Sequence, residues 1–163
     1  MAIPFTNMMK MEKRKMICFD MDGTIADLYG VNGWLEMLEN EDTTPYIGAK
    51  PMWDMEELNT VLMALQAKGW IISVVTWFAM NSTKEYKKAT REAKIKWLEK
   101  NNFVYDEFHG VQYGTTKANT VRNKTDYAIL IDDNGKVRNG WTLGGTVDPI
   151  AVDLVEWLRG LLV

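Results

Sequence analysis

Three short apolar runs, at residues 15–19, 70–75 and 127–131, each stop at polar side chains, and stretches of helical periodicity separate them. Runs this short and this uniformly apolar read as strands buried on both faces. With helices between them, they predict βαβ units and a mostly parallel sheet flanked by helices, an α/β Rossmann-like core. The helical signals are local and specific. Asp54 with Glu57 forms a capping-box pattern ahead of Leu58, Val61, Leu62 and Leu65, which share one helical face, and Gly69 supplies the stop. Ser82 with Glu85 repeats the pattern, and Tyr86, Thr90, Ala93 and Trp97 then form one stripe of a long helix running to about Lys100. A short strand is expected at 108–111. A last helix is expected to open at Asp148 with Pro149 in its first turn, carrying Leu154, Trp157, Leu158 and Leu161 inward.

At 163 residues the chain suits one domain with one core, placed at 15–163, with residues 1–14 read as a polar, Met-rich disordered extension. The formal charge of −3 excludes a general basic footprint for nucleic acid. Lys84, Lys87, Lys88, Arg91, Lys94 and Lys96 do cluster, but Glu85, Glu92 and Glu99 are interspersed, so the run reads as a solvated helix face. The single cysteine, Cys18, lies inside the first apolar run, which excludes an intrachain disulfide and describes a buried, inert thiol. No stretch is long enough to cross a bilayer and no apolar block of a secretory signal is present, so a cytoplasmic protein without a membrane partner is expected.

The chemistry sits at the ends of the apolar runs. The first leads into Asp20-Met21-Asp22-Gly23-Thr24, which sends two carboxylates into the turn at a strand's carboxyl end. In an open α/β sheet, ligands bind at that end. Carboxylates this close repel unless a cation or a shared proton intervenes, and Mg²⁺ is the hard ion that takes oxygen ligands. The second run ends in Thr76, and the third in Asp132-Asp133-Asn134. Between them, Thr115-Thr116-Lys117 places a basic residue at the start of a short polar helix.

Strand, hydroxyl, lysine and paired carboxylates in this order resemble the haloacid dehalogenase superfamily of phosphohydrolases, over residues 15–134. The resemblance implies a covalent route. Asp20 would attack phosphorus and form an aspartyl-phosphate, while Asp22 would protonate the leaving oxygen and later accept a proton from water. That second carboxylate argues against dehalogenation, since dehalogenases of the superfamily lack it. Mg²⁺ would be held by Asp20, by Asp22 through its backbone carbonyl, and by Asp132 or Asp133, with Asp132 favoured for direct contact. Thr76 and Lys117 would hold phosphoryl oxygens, and Gly23 would let the turn's N–H groups face the phosphate. Lys117 is preferred over Lys124, which lies too near the third strand to open a helix. Taken alone, Thr76 is also a plain β-branched strand end, and His109 reads as a packed or surface histidine rather than a catalytic one.

The superfamily inserts a cap domain where this chain has residues 25–53, which suffice only for a short flap. Trp77, Phe78, Ala79 and Met80, with Tyr29, Trp34, Tyr46 and Trp53, either line a slot that stacks a flat group or simply pack the flap onto the core. The resemblance thus implies a Mg²⁺-dependent phosphomonoesterase on a small phosphorylated substrate, with a nucleotide among the candidates, of the deoxyribonucleotidase-like kind. Two alternatives remain open. One is a phosphatase for polynucleotide 3′-phosphate ends, and the other is a protein that binds a nucleotide or phosphate ligand without turnover.

Overall fold

The computed structural model describes residues 14–163; the expected N-terminal extension lies outside the described residues except for Arg14. Arg14 is anchored: its N–H donates to Asp126 Oδ2 at 2.8 Å and its carbonyl accepts from the Asp126 N–H at 2.8 Å. Five strands form the main sheet. They are β1 (Lys15–Phe19), β4 (Trp70–Trp77), β5 (Glu107–Val111), β6 (Tyr127–Ile131) and β7 (Thr146–Val147), in the order β5-β4-β1-β6-β7 and parallel throughout. This is the mostly parallel α/β core expected from the sequence.

Period-two alternation divides the strand residues between two covers. Ile17, Phe19, Ile72, Val74, Ile129 and Ile131 face one core, shared with Leu58, Leu62 and Leu65 of α3 (Met55–Ala67), Trp97 and Leu98 of α4 (Lys84–Lys100), and Leu154 and Leu158 of α7 (Leu154–Gly160). Met16, Cys18, Val75, Ala128 and Leu130 face the other, beneath Ala118 and Val121 of α5 (Lys117–Val121) and Trp141, which follows α6 (Gly135–Asn139). Burial pushes the Cys18 thiol up to about 12, so it stays protonated and inert.

Residues 25–53 carry a two-stranded antiparallel ribbon of β2 (Ala26–Asp27) and β3 (Lys50–Pro51), with α1 (Trp34–Glu39) and α2 (Thr44–Gly48) between them. This flap is fastened to α4. Glu41 accepts from the Thr83 N–H at 2.8 Å and from the Thr83 hydroxyl at 2.9 Å. Tyr86 donates its hydroxyl to Asp42 O at 2.8 Å, and Trp97 donates its indole N–H to Ala49 O at 2.7 Å.

Two helix starts differ from the sequence reading. The cap of α4 is Thr83, whose hydroxyl accepts from the Tyr86 N–H, while Ser82 donates to Ala79 O. The last helix opens at Leu154 behind Asp153, five residues later than expected. Asp148 and Pro149 instead make a turn, in which Asp148 accepts from the Ile150 N–H.

Candidate active site

Strand register builds the acidic centre. Phe19 of β1 sits beside Ile131 of β6, so the next residues, Asp20 and Asp132, emerge side by side at the carboxyl end of the sheet. The Asp20 N–H donates to Ile131 O at 2.9 Å, continuing the ladder for one more residue. Asp133 follows directly, and oxygens of Asp20, Asp132 and Asp133 all lie within 4.8 Å of one another. Beyond Asp20 the chain folds back sharply. Met21 O accepts from the N–H groups of Thr24, Ile25 and Ala26 at 3.2, 2.9 and 3.1 Å, a turn that requires Gly23 at a φ of 81°.

Gly23 serves this turn by its shape. A Cβ there would stand 2.5 Å from Asp133 Oδ2 and 2.7 Å from the Tyr29 ring. Its own N–H donates to Ala26 O at 2.8 Å and the Thr24 N–H to Met21 O at 3.2 Å, so both amides are used within the turn. Thr24 ties the acids together. Its hydroxyl lies 3.1 Å from Asp20 Oδ2 and 3.3 Å from Asp133 Oδ1, and its oxygen accepts the Asp133 N–H at 3.2 Å.

Lys117, the first residue of α5, is almost wholly buried and donates to Asp20 Oδ1 at 2.8 Å and Asp132 Oδ2 at 2.9 Å. Burial alone would lower its pKa, but the two carboxylates outweigh that and raise it, so the ammonium stays charged. Lys124 lies in an exposed turn away from these groups. His109 pairs with Glu107 at 2.9 Å on β5, as a packed histidine would.

The acids feel one another. Burial, then the charge of Asp20, pushes Asp132 up to about 6, with Lys117 opposing. Asp133 is pushed up to about 7 by burial and by the neighbouring Asp20 and Asp132 carboxylates. Both Asp132 oxygens are engaged, Oδ2 by Lys117 and Oδ1 by the Asn134 N–H at 2.9 Å. Asp133 has only the weak Thr24 contact on Oδ1, and Oδ2 accepts no hydrogen bond from the described residues.

Asp22 points to a different partner. Its Oδ2 accepts from Lys94 Nζ at 2.9 Å; the same ammonium donates to Thr76 Oγ1 at 2.6 Å and to Trp77 O at 3.1 Å. Lys94 is fully buried, which overturns its placement on a solvated face; Lys84, Lys88, Arg91 and Lys96 are exposed as expected. It is also a site residue that the sequence reading missed, as are Thr24 and Tyr113. The signal was helical phase, since Lys94 falls four residues after Thr90 and four before Leu98, inside the buried stripe. Burial, opposed by Lys94 and reinforced by Asp20, raises the Asp22 pKa. Thr76 is buried too, and its oxygen is the acceptor for Lys94.

Asp20, Asp22, Lys117, Asp132 and Asp133 form the floor of a cavity of about 520 Å³, with Thr76 and Lys94 buried behind them. Its walls are apolar and largely aromatic: Tyr29, Trp34 and Tyr46 from the flap face Trp77, Phe78 and Tyr113 from the core. Tyr29 and Trp34 stand edge to face with centroids 4.9 Å apart, and Trp77 and Tyr113 are tilted at 5.0 Å. Ala79 and Met80 also line it, whereas Trp53 turns aside and donates its indole N–H to Thr24 O at 2.7 Å. No helix among the described residues is long and apolar enough to cross a membrane.

The parallel five-stranded sheet with helices on both faces is a Rossmann-like α/β core. Two solved structures share it. A D,D-heptose 1,7-bisphosphate phosphatase from Burkholderia thailandensis superposes with a TM-score of 0.54 at 13% identity, over 91% of this chain and 99% of that one. A chain of the Pnkp1/Rnl/Hen1 RNA repair complex gives 0.52 at 19% identity, over 83% of this chain. The matched region spans only 42% of that larger chain. No protein-family model and no curated protein sequence matches this one.

Proposed function

We propose that this protein is a Mg²⁺-dependent phosphomonoesterase that works through an aspartyl-phosphate on Asp20. The observation that carries the reading is the cluster of Asp20, Asp132 and Asp133 with Lys117 between two of them, opening onto an aromatic cavity. A merely structural cluster has no need of three neighbouring carboxylates at a cavity floor, where burial and mutual repulsion both count against them.

The donor set fits a hard divalent cation. Asp20, Asp132 and Asp133 face the single ammonium of Lys117, which leaves two negative charges for a divalent ion to balance. Asp20, Asp133 and the Asp22 carbonyl would hold it, with Asp133 rather than Asp132 in direct contact because Asp132 is committed to Lys117 and Asn134. When bound, the ion neutralises charge between the carboxylates and the phosphoryl group.

The residues divide the remaining work. An Asp20 oxygen bonds to phosphorus as the phosphorus–oxygen bond to the leaving group breaks, and that oxygen takes the Asp22 proton. Water then attacks phosphorus, Asp22 accepts its proton, and the bond to Asp20 breaks to release phosphate. Lys117 supplies fixed positive charge beside the phosphoryl oxygens, and the Thr76 hydroxyl, which accepts from Lys94, keeps its own proton to donate.

For the substrate, we favour a nucleoside monophosphate. The aromatic walls offer flat faces to a base, a contact worth about 1–3 kcal/mol where it stacks. A 3′-phosphorylated strand end is the second reading. It is favoured by the exposed rim, where Tyr29 and Tyr113 are each about half accessible and leave room beyond the ester.

Phosphate release with Mg²⁺ from nucleoside 5′- and 3′-monophosphates, sugar phosphates and 3′-phosphorylated oligonucleotides tests all of this, with Asp20→Asn as the control. Asp20-dependent release is expected, nucleotides exceeding sugar phosphates. Best turnover of the oligonucleotide, falling steeply with salt, would select the strand-end reading. Silence across the panel, with tight binding of a nucleotide, would replace the enzyme with a binding protein.

A further inference from the structure

We infer that Lys94 is a positioning residue for the proton-transfer group, setting the place of the Asp22 carboxylate from a helix outside the four sequence motifs. The inference rests on the phosphomonoesterase reading above. A lysine with no exposed surface in the core of a domain is costly unless all three of its N–H groups find acceptors. Here they do, at Asp22 Oδ2, Thr76 Oγ1 and Trp77 O, at 2.9, 2.6 and 3.1 Å. Two of the three acceptors are neutral and belong to β4, so the ammonium is fixed by the sheet and not merely drawn along by Asp22. The Tyr46 ring closes the fourth side, with its centroid 5.0 Å from Nζ.

The geometry separates two roles that one lysine could have filled. Lys117 faces the Asp20 and Asp132 carboxylates, and Lys94 faces Asp22 alone among the site's carboxylates. Asp22 is followed by the sharp Gly23 turn, and its side chain has no other hydrogen-bond partner among the described residues. Without Lys94, nothing else described holds that carboxylate at the cavity floor. Loss of Lys94 therefore acts on the step that delivers a proton to the leaving oxygen, and much less on attack by Asp20.

That distinction has a readout that a general structural defect does not imitate. An alkyl ester such as a nucleoside monophosphate needs a proton on its leaving oxygen, whereas 4-nitrophenyl phosphate departs as a stable phenolate. Lys94→Met, checked for folding by circular dichroism, is expected to lower kcat/KM about 100-fold on the alkyl ester and less than about 10-fold on the aryl ester. Asp22→Asn is expected to give the same selective loss, and adding Lys94→Met to it is expected to cost little more, because both act on one step. Where the methionine variant does not fold, Lys94→Gln, which keeps a neutral N–H donor, carries the same comparison. Equal losses on the two esters, or losses that multiply in the double variant, would overturn the inference. Absence of turnover in the wild type on both esters would instead refute the phosphatase reading.

Discussion

The acidic cluster makes a counter-intuitive demand: removing one of its carboxylates should stabilise the metal-free protein. Asp133→Asn is the cleanest change, because Asp133 has no ammonium partner among the described residues, while Lys117 offsets Asp20 and Asp132. Its oxygens lie within 4.8 Å of oxygens on both neighbours. Two unit charges at that separation repel by roughly 3 kcal/mol at an effective dielectric near 20. Partial exposure of Asp133 screens this, so a net gain of about 1–2 kcal/mol is expected for the variant. The sign follows from the raised pKa. Asp133 is pushed from 3.8 to about 7 by burial and by Asp20, so the folded protein holds this proton where the unfolded chain has released it. Stability is therefore lost as pH rises through that window, and asparagine, which cannot ionise, escapes the loss. The variant's advantage should be near zero at about pH 4, grow until pH 7, and stay level above it. Thermal unfolding in EDTA at pH 8 is the assay, with an expected rise in Tm on the order of 5 °C. Adding Mg²⁺ should raise the wild-type Tm and leave the variant nearly unmoved. A variant less stable than wild type in EDTA, or one with an undiminished Mg²⁺ shift, would refute both the repulsion argument and the assignment of Asp133 to the metal.

Other perturbations separate the remaining parts. Asp20→Asn should abolish phosphate release while keeping the circular dichroism spectrum; a folded variant with full activity would sink the covalent route. Lys117→Met should slow turnover by about 100-fold or more and leave Asp20 and Asp132 without their buried counter-ion, at a cost of roughly 3 kcal/mol in urea unfolding. Gly23→Ala should cost about 2 kcal/mol for its left-handed backbone and also push Asp133 aside, so its Mg²⁺-induced Tm shift should shrink in step. Chelator should stop the reaction and Mg²⁺ restore it; undiminished turnover in EDTA would contradict the metal assignment.

The sheet and its acids were legible in the chain because their causes are local. Strands buried on both faces have to be apolar at nearly every position, so β1, β4 and β6 stand out as runs, and parallel register then places Asp20 beside Asp132. What escaped the sequence was decided by partners far along the chain. Asp148-Pro149 and Asp153 with Glu156 are equally good local signals for a helix start. The second won while Arg138 approached Asp148 at 3.5 Å and the Asp148 carboxylate closed a turn of its own. Ser82 and Thr83 are likewise equivalent caps until Glu41 of the flap binds Thr83. That Asp132 has both oxygens engaged while Asp133 keeps one free among the described residues follows from Lys117 and the Asn134 N–H, neither of which the sequence places there. Lys94 is the sharpest case. A lysine amid lysines and glutamates reads as solvated on composition, and its carboxylate partner lies 72 residues away. Its helical phase pointed inward all the same. Where a charge occupies a core position of an amphipathic stripe, the physical question is which acceptors converge on it, and here the answer leads directly to Asp22.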